Sequence, residues 1–318
     1  WESKYSLNTG IDIGLFKNRA TIAFEYFNDE TKDLLYDRGV PSNSGYSSIP
    51  QNVGSMRNYG YELSTAFLPV IGKFQWRITS NMTWVQNEIT SLVDGRQEIA
   101  NSLRVGYPYE SFLVYNFAGV NPADGRPMWY DKDGYITYNP VSEDRIWING
   151  IMPTFYGGIV NSLSYKGFDL SFLVQFQKGA RRYFADAVVM GRVGSSVDRN
   201  QLLGMYTDRW QNPGDMTWVA QPMNGNVWLG AGSSTRAYSA VSSLHYNKVD
   251  FIKLKNLSLS YNVPKKWITP MKIEGITLSL TGYNLLTTTT YPGYDPEFTG
   301  SDSGQYPSSR SYTFVLNV

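Results

Sequence analysis

Few residues in this chain are of a type that could do covalent chemistry. His245 is the only histidine among 318 residues, and cysteine is absent. A Ser-His-Asp triad would have to be built on His245, which stands in a long polar segment with no nucleophile-elbow motif beside it. Asp131 and Asp133, in Asp-Lys-Asp-Gly, open like a calcium loop. The third oxygen ligand and the distal Glu of an EF-hand do not follow in register, so the tetrapeptide reads first as a turn. Carboxylate pairs of the glycosidase kind are set by distance in space, and acids scattered along a chain carry no such signal. No catalytic, metal or cofactor site is expected. What remains is a set of aromatic rings on polar segments: Tyr46, Trp129, Tyr130, Trp218, Trp228 and Tyr294. Flat rings stack on sugar faces and equally well anchor protein interfaces, so these six are the candidate ligand-binding residues.

The elements that must carry these rings are strands. The 28 basic and 27 acidic residues give a formal charge of +1, which leaves no basic footprint for nucleic acid. No stretch approaches the roughly 18 apolar residues of a membrane helix. Aromatic residues make up 15% of the chain, with 24 Tyr and 9 Trp, a mix suited to β-structure with wet surfaces. Phe168, Leu170, Phe172, Val174 and Phe176 alternate with Asp169, Ser171, Gln175 and Gln177, so a strand over 168–177 has one apolar and one polar wall. The same alternation recurs over 6–14, 21–30, 59–67, 74–84, 111–120, 158–165, 249–263, 276–286 and 311–318. Very short turns and very long polar segments separate these runs in alternation, the pattern of a transmembrane β-barrel with short turns on one side and long loops outside. A weak strand over 126–130 brings the count to about eleven, and an odd number is required if the first and last strands both descend. Tyr59 and Phe67, like Trp76 and Trp84, lie eight residues apart, the spacing of two interfacial aromatic girdles. The same patterning also fits a soluble glycan-binding sandwich, which is the competing fold.

The longest polar stretch, 178–248, is too long for a plain connection and is expected to be a functional insertion. Within it Asp198 is a helix N-cap candidate, with Leu202, Leu203, Tyr206 and Trp210 at helical spacing before Asn212-Pro213-Gly214. Lys253 and Lys255 share the parity of Leu257, Leu259 and Tyr261, which places them on the outward face, at the depth of lipopolysaccharide phosphates. Trp1 opens the chain with no Met and no leader-like segment, and the sequence is expected to be a piece of a longer protein.

Five stretches, in order, resemble the carboxy-terminal half of SusC/RagA-like TonB-dependent outer-membrane transporters of Bacteroidetes. They are Asn52-Val53-Gly54 with Asn58-Tyr59-Gly60-Tyr61-Glu62-Leu63; Pro153-Thr154-Phe155-Tyr156-Gly157-Gly158 with Tyr165-Lys166-Gly167-Phe168-Asp169-Leu170; Arg209-Trp210 before Pro213-Gly214; Leu254-Lys255-Asn256-Leu257; and Asn284-Leu285-Leu286 with Tyr291-Pro292-Gly293-Tyr294-Asp295-Pro296-Glu297. The resemblance implies an all-β, antiparallel transmembrane barrel in which residues 1–318 are the second half of 22 strands and 178–248 is a large extracellular loop with a short helix. The plug, the first half of the barrel and the contact to TonB would lie outside this sequence, and one or two residues would follow Val318. It further implies import of oligosaccharides, or oligopeptides, beneath a SusD-like surface lipoprotein, in a Gram-negative outer membrane rich in lipopolysaccharide. A passive porin is the alternative with the same wall.

Overall fold

The computed structural model describes residues 1–41, 43, 45–99, 102–184, 203–222, 242–298, 302 and 305–318. In chain order the first strands are β1 (Ser3–Leu15), β2 (Ala20–Lys32), β3 (Leu35–Gly39), β4 (Ser48–Asn52), β5 (Gly54–Val70) and β6 (Phe74–Leu92). Short strands follow: β7 (Glu98–Ile99), β8 (Leu103–Arg104), β9 (Phe112–Val120), β10 (Pro127–Tyr130), β11 (Ile136–Thr137) and β12 (Arg145–Ile148). The remainder are β13 (Phe155–Tyr165), β14 (Phe168–Lys178), β15 (Arg181–Tyr183), β16 (Tyr246–Lys248), β17 (Phe251–Asn262), β18 (Thr277–Thr289) and β19 (Ser311–Asn317).

Nine of these build one antiparallel wall in the order β1-β2-β5-β6-β13-β14-β17-β18-β19. Each wall strand pairs with the next in sequence, which is the meander expected. Connections 16–19, 71–73 and 166–167 are tight and all lie at one end. The Lys166-Gly167 turn has φ of 50° and 88°, the left-handed pair that matches the twist of a two-residue hairpin. The fourth connection at this end, 263–276, carries a one-turn helix, Lys265–Ile268. Connections 33–53, 93–154, 179–250 and 290–310 all lie at the opposite end.

The expected count of eleven wall strands is corrected to nine. Residues 112–120 and 127–130 are strands, but they pair in a separate four-stranded sheet, β11-β10-β9-β12, inside the connection between β6 and β13. Both readings satisfy the alternation of side chains, and both give an odd number. The expected helix also shortens: the described part is Gly204–Thr207, while Asp198 and Leu202 lie outside the described residues.

Cross-strand register sorts the wall into two faces. On one face run the rows Tyr165, Phe168, Tyr261, Leu278, Leu316 and Leu163, Leu170, Leu259, Leu280, Phe314. On the other run the rows Ser171, Ser258, Thr281 and Asp169, Ser260, Ser279. The apolar face ends in aromatic rings at both heights. Toward the tight turns Phe74 meets Tyr165, and Phe168 meets Tyr261 at 4.4 Å; toward the long loops Phe24 stacks on Tyr61, and Trp84 on Phe155 at 4.6 Å. The polar groups on the apolar face satisfy one another: Thr65 and Ser80 share a 2.7 Å hydrogen bond, and Trp76 Nε1 donates to Asn161 Oδ1. That is what a face without water requires. No helix of the described residues is long and apolar enough to cross a membrane.

The buried cores sit in the loops rather than under the wall. One gathers Leu34, Val53, Ile89, Leu92, Ile99 and Leu103 at the long-loop end of β5 and β6. A second joins Val120, Trp129 and Ala220, with Phe117, Trp210 and Leu244 packed on it. A third holds Ala180, Phe184, Val249 and Tyr291.

Candidate functional site

The polar face of the wall and the loops folded over it form the candidate site. The inward rows of β14, β17 and β18 are mostly Ser, Thr, Asn and Gln cross-linked by hydrogen bonds, and the same face carries Glu25, Glu62, Arg77 and Asp169. Ser258 and Thr281 pair at 2.9 Å, Ser260 and Ser279 at 2.8 Å, and Asn262 donates to Asp169 at 3.0 Å.

At the long-loop end an ionic anchor fastens the last loop to this face. Lys253 is 2% exposed, and its ammonium lies 3.4 Å from Asp295 Oδ1 and against Glu297 Oε2. Lys255 Nζ donates to both Glu297 oxygens at 2.7 and 2.8 Å. Asp295 also accepts from the backbone N–H groups of Glu297 and Ser308. Burial raises the Asp295 pKa, but those backbone donors and Lys253 overcome it and hold the carboxyl below the usual range. Glu297 is likewise lowered on balance: burial pushes it up, and Lys253 and Lys255 more than offset this. Arg182 Nη1 donates to Pro296 O, and Tyr291 Oη donates to Asp302. Gly293 is required here, because a Cβ would collide with the Tyr291 ring and the Asp302 carboxylate.

This geometry corrects the outward placement of Lys253 and Lys255. A β-bulge between Leu254 and Asn256 inserts Lys255 as an extra residue against β14. The bulge reverses parity beyond it, so Leu254 and Ile252 continue the apolar face while Lys253 turns inward, beside Gln175. Sequence reasoning missed the anchor. The available signal was complementary spacing: lysines two apart at 253 and 255, acids two apart at 295 and 297.

The candidate aromatic residues stand on separate loops. Tyr46 is 70% exposed between β3 and β4, and Tyr294 is 62% exposed in the last loop, one residue from Asp295. Trp218 and Tyr130 are 40% and 37% exposed. Trp129 is corrected: it is 1% exposed, edge-on to Phe117 in a loop core, and offers no face to a ligand. Trp228 lies outside the described residues. His245 is fully buried in a capping turn, where the Ser242 N–H donates to Nδ1 at 3.0 Å, so that lone pair is not free to take a proton from a nucleophile. The Asp131 carboxylate accepts from the N–H groups of Asp133 and Tyr135, which is turn chemistry.

The loop around Trp129 is held as a unit. Trp210 Nε1 donates to Pro122 O at 2.9 Å, and Gln221 donates to Asp124 O. Gly125 has φ of 70° and touches the Trp210 ring, so no side chain fits there. These bonds tie the 121–125 turn to the insertion that follows β15.

No protein-family model matches the chain. Among curated proteins it is 28% identical to TonB-dependent receptor P3 of Formosa agariphila, over all of this chain and 34% of that protein. It is 26% identical to TonB-dependent receptor SusC of Bacteroides thetaiotaomicron, again over the whole chain and 32% of the relative. The chain thus spans about a third of the length of the curated relatives it matches. Among solved structures, the RagAB peptide transporter superposes with a TM-score of 0.85 at 28% identity, over 99% of this chain and 35% of that one. The open-open and closed-closed states of the RagAB importer each give a TM-score of 0.83. With one apolar and one polar face, its longest connections at one end and this similarity over the whole chain, the chain resembles a carboxy-terminal third of SusC and of the RagAB transporter, TonB-dependent β-barrel proteins of the outer membrane.

Proposed function

We propose that the chain supplies the carboxy-terminal wall and loops of an active importer that takes up oligosaccharides or oligopeptides. In this reading the plug, the remaining barrel strands and the segment that engages TonB lie elsewhere in the protein, and a SusD-like lipoprotein covers the long-loop end. Residues 178–248 form the largest extracellular loop. The observation that carries the reading is similarity to SusC over the whole chain and to the RagAB transporter over 99% of it. Identities of 26% and 28% do not separate glycan from peptide, so the choice of cargo is assigned to loop residues rather than to the wall.

Within those loops Tyr294 is the first candidate contact. Its ring is exposed while its neighbour Asp295 is locked to Lys253, so ring position is fixed at little entropic cost. Tyr46, Tyr130 and Trp218 are further candidates, acting by stacking or by contact with the lid. The relatives are receptors and transporters, and no bond-making step is assigned to this chain. Uptake of labelled oligomers by cells carrying the full protein tests the reading. Collapse of uptake on adding a protonophore is expected, whereas persistence would identify the passive porin.

A further inference from the structure

The four connections at the tight-turn end are strongly basic. Seven of the 28 basic residues stand in them: Lys17 and Arg19 in 16–19, Lys73 in 71–73, Lys166 in 166–167, and Lys265, Lys266 and Lys272 in 263–276. Against these stands one of the 27 acids, Glu274, so the rest of the chain is net acidic. All seven cations are exposed, and among the described residues none of them forms an ion pair. Arg19 donates to the backbone oxygens of Leu68 and Pro69, which leaves its charge uncompensated. The acids closest in sequence on the wall strands, Asp12 and Asp169, lie on the polar face, where Asp169 accepts from Ser164 and Asn262. The opposite end mixes its signs, with Glu30 and Glu88 opposite Arg57 in register.

Each of the four connections also sets a cation next in sequence to an exposed aromatic ring: Phe16–Lys17, Lys73–Phe74, Tyr165–Lys166 and Lys266–Trp267. Phe74 and Tyr165 belong to the girdle of the apolar face, with ring centres 6.4 Å apart. The Lys166 ammonium lies 5.1 Å from the Tyr165 ring centre, which puts this cation on the lipid side of the rim rather than over the lumen. In 263–276 the buried Ile268 pins the one-turn helix and leaves Trp267 exposed, with the Lys266 ammonium 5.8 Å from its ring. Rings at the interface with lysines beside them are placed for headgroups, since lysine stems run along apolar surface and bring the ammonium to phosphate depth.

We infer that the tight-turn rim is a binding surface for anionic glycerophospholipids of the leaflet that it borders, with Lys73 and Lys166 on either side of a headgroup at the Phe74–Tyr165 pair. Charge complementarity selects this occupant. Seven like charges repel one another, and a zwitterionic head brings as much ammonium as phosphate, whereas an anionic head brings net negative charge. An acidic protein could answer the charges, but it would not call for Phe74 and Tyr165 at lipid height.

The inference rests on the barrel reading, not on transport. The test uses the full-length protein carrying Phe74→benzoylphenylalanine, in nanodiscs that mix phosphatidylethanolamine and phosphatidylglycerol with identical acyl chains. After irradiation, mass spectrometry of the adduct should show phosphatidylglycerol enriched about fivefold over its share of the bilayer, the scale of one lysine at an anionic surface. Lys73→Gln with Lys166→Asn should return the adduct to the bilayer's composition; asparagine tolerates the left-handed φ of 50° at 166. Lys73→Arg with Lys166→Arg should keep the enrichment. Adducts that follow bilayer composition in the parent, or enrichment unchanged in the neutral variant, would overturn the assignment. So would a protein adduct in place of the lipid adduct on irradiation in cells, which would give the rim to a protein partner. Heat-modifiable migration on gels monitors the barrel separately: its absence in the parent would indict the barrel reading instead. If the neutral variant alone lost it, Lys73→Gln by itself would take its place, with a smaller loss of enrichment expected and no loss again overturning the assignment.

Discussion

The wall and the loop lobe are built from the same kinds of strand but solve opposite problems. In the wall, β14 leaves Phe168 exposed and Leu170 half-buried on the apolar face and pairs Asp169 with Asn262 on the other side. In the lobe, β9 and β10 cover Val120 and Trp129 with Ala220 and Trp210, in the ordinary manner of a soluble core. The three clusters of fully buried apolar side chains all lie at the loop end. A protein that takes its apolar phase from lipid needs no core under its sheet, and concentrates conventional packing where water surrounds it.

The comparison can be broken most sharply at the anchor between the two regions. Glu297→Ala removes the main partner of a buried Lys253, and a severed buried pair costs about 3–5 kcal/mol. Release of the last loop should appear as new protease cleavage within 290–310, with the barrel still heat-modifiable. Lys253→Met in the same background should recover most of that protection. The anchor also has a pH signature. Asp295 and Glu297 are both lowered from ordinary values of 3.8 and 4.5, so their stabilisation is complete above about 4.5 and is lost as pH falls through the lower folded values. Protease protection of the loop should hold from pH 7 to pH 5 and fail only in stronger acid.

Trp129→Ala should cost about 3–5 kcal/mol of lobe stability, as for large core truncations, and leave the wall intact. In the wall the two faces should respond oppositely at neighbouring positions. Leu257→Arg, on the apolar face, should destabilise the folded barrel by about 2–4 kcal/mol in a urea titration in lipid, and Ser258→Arg by less than about 1 kcal/mol. The smallest stability effect is expected at Tyr294→Ala, whose exposed ring should alter cargo affinity, read by titration calorimetry, with no change in barrel melting.

The wall was legible because period-two alternation is a direct readout of two unlike solvents. Phe168 to Phe176 carried it, with only Leu173 breaking the polar face. The same rule misplaced residues 112–120 and 127–130, since a strand in a small soluble lobe also alternates and only its partners reveal which sheet it joins. Lys253 and Lys255 were misplaced for a different reason. One extra residue at 255 reverses every parity beyond it, and nothing in Leu254-Lys255-Asn256 announces a bulge. Trp129 looked like a ligand platform because it falls in a region expected to be extracellular or lumen-facing, but its burial depends on Ala220 and Trp210, about 80 to 90 residues away in the chain. Local pattern finds the wall; long-range contacts decide the site.

One face of this sheet meets lipid and the other does not. Since the chain has no cysteine, single substitutions from Phe168→Cys to Gln177→Cys can be spin-labelled one by one in the full-length protein in bilayers. Collision rates with oxygen, which partitions into lipid, should oscillate with a period of two and peak at 168, 170, 172, 174 and 176. A profile that is flat, or that peaks at the odd positions, would contradict the account.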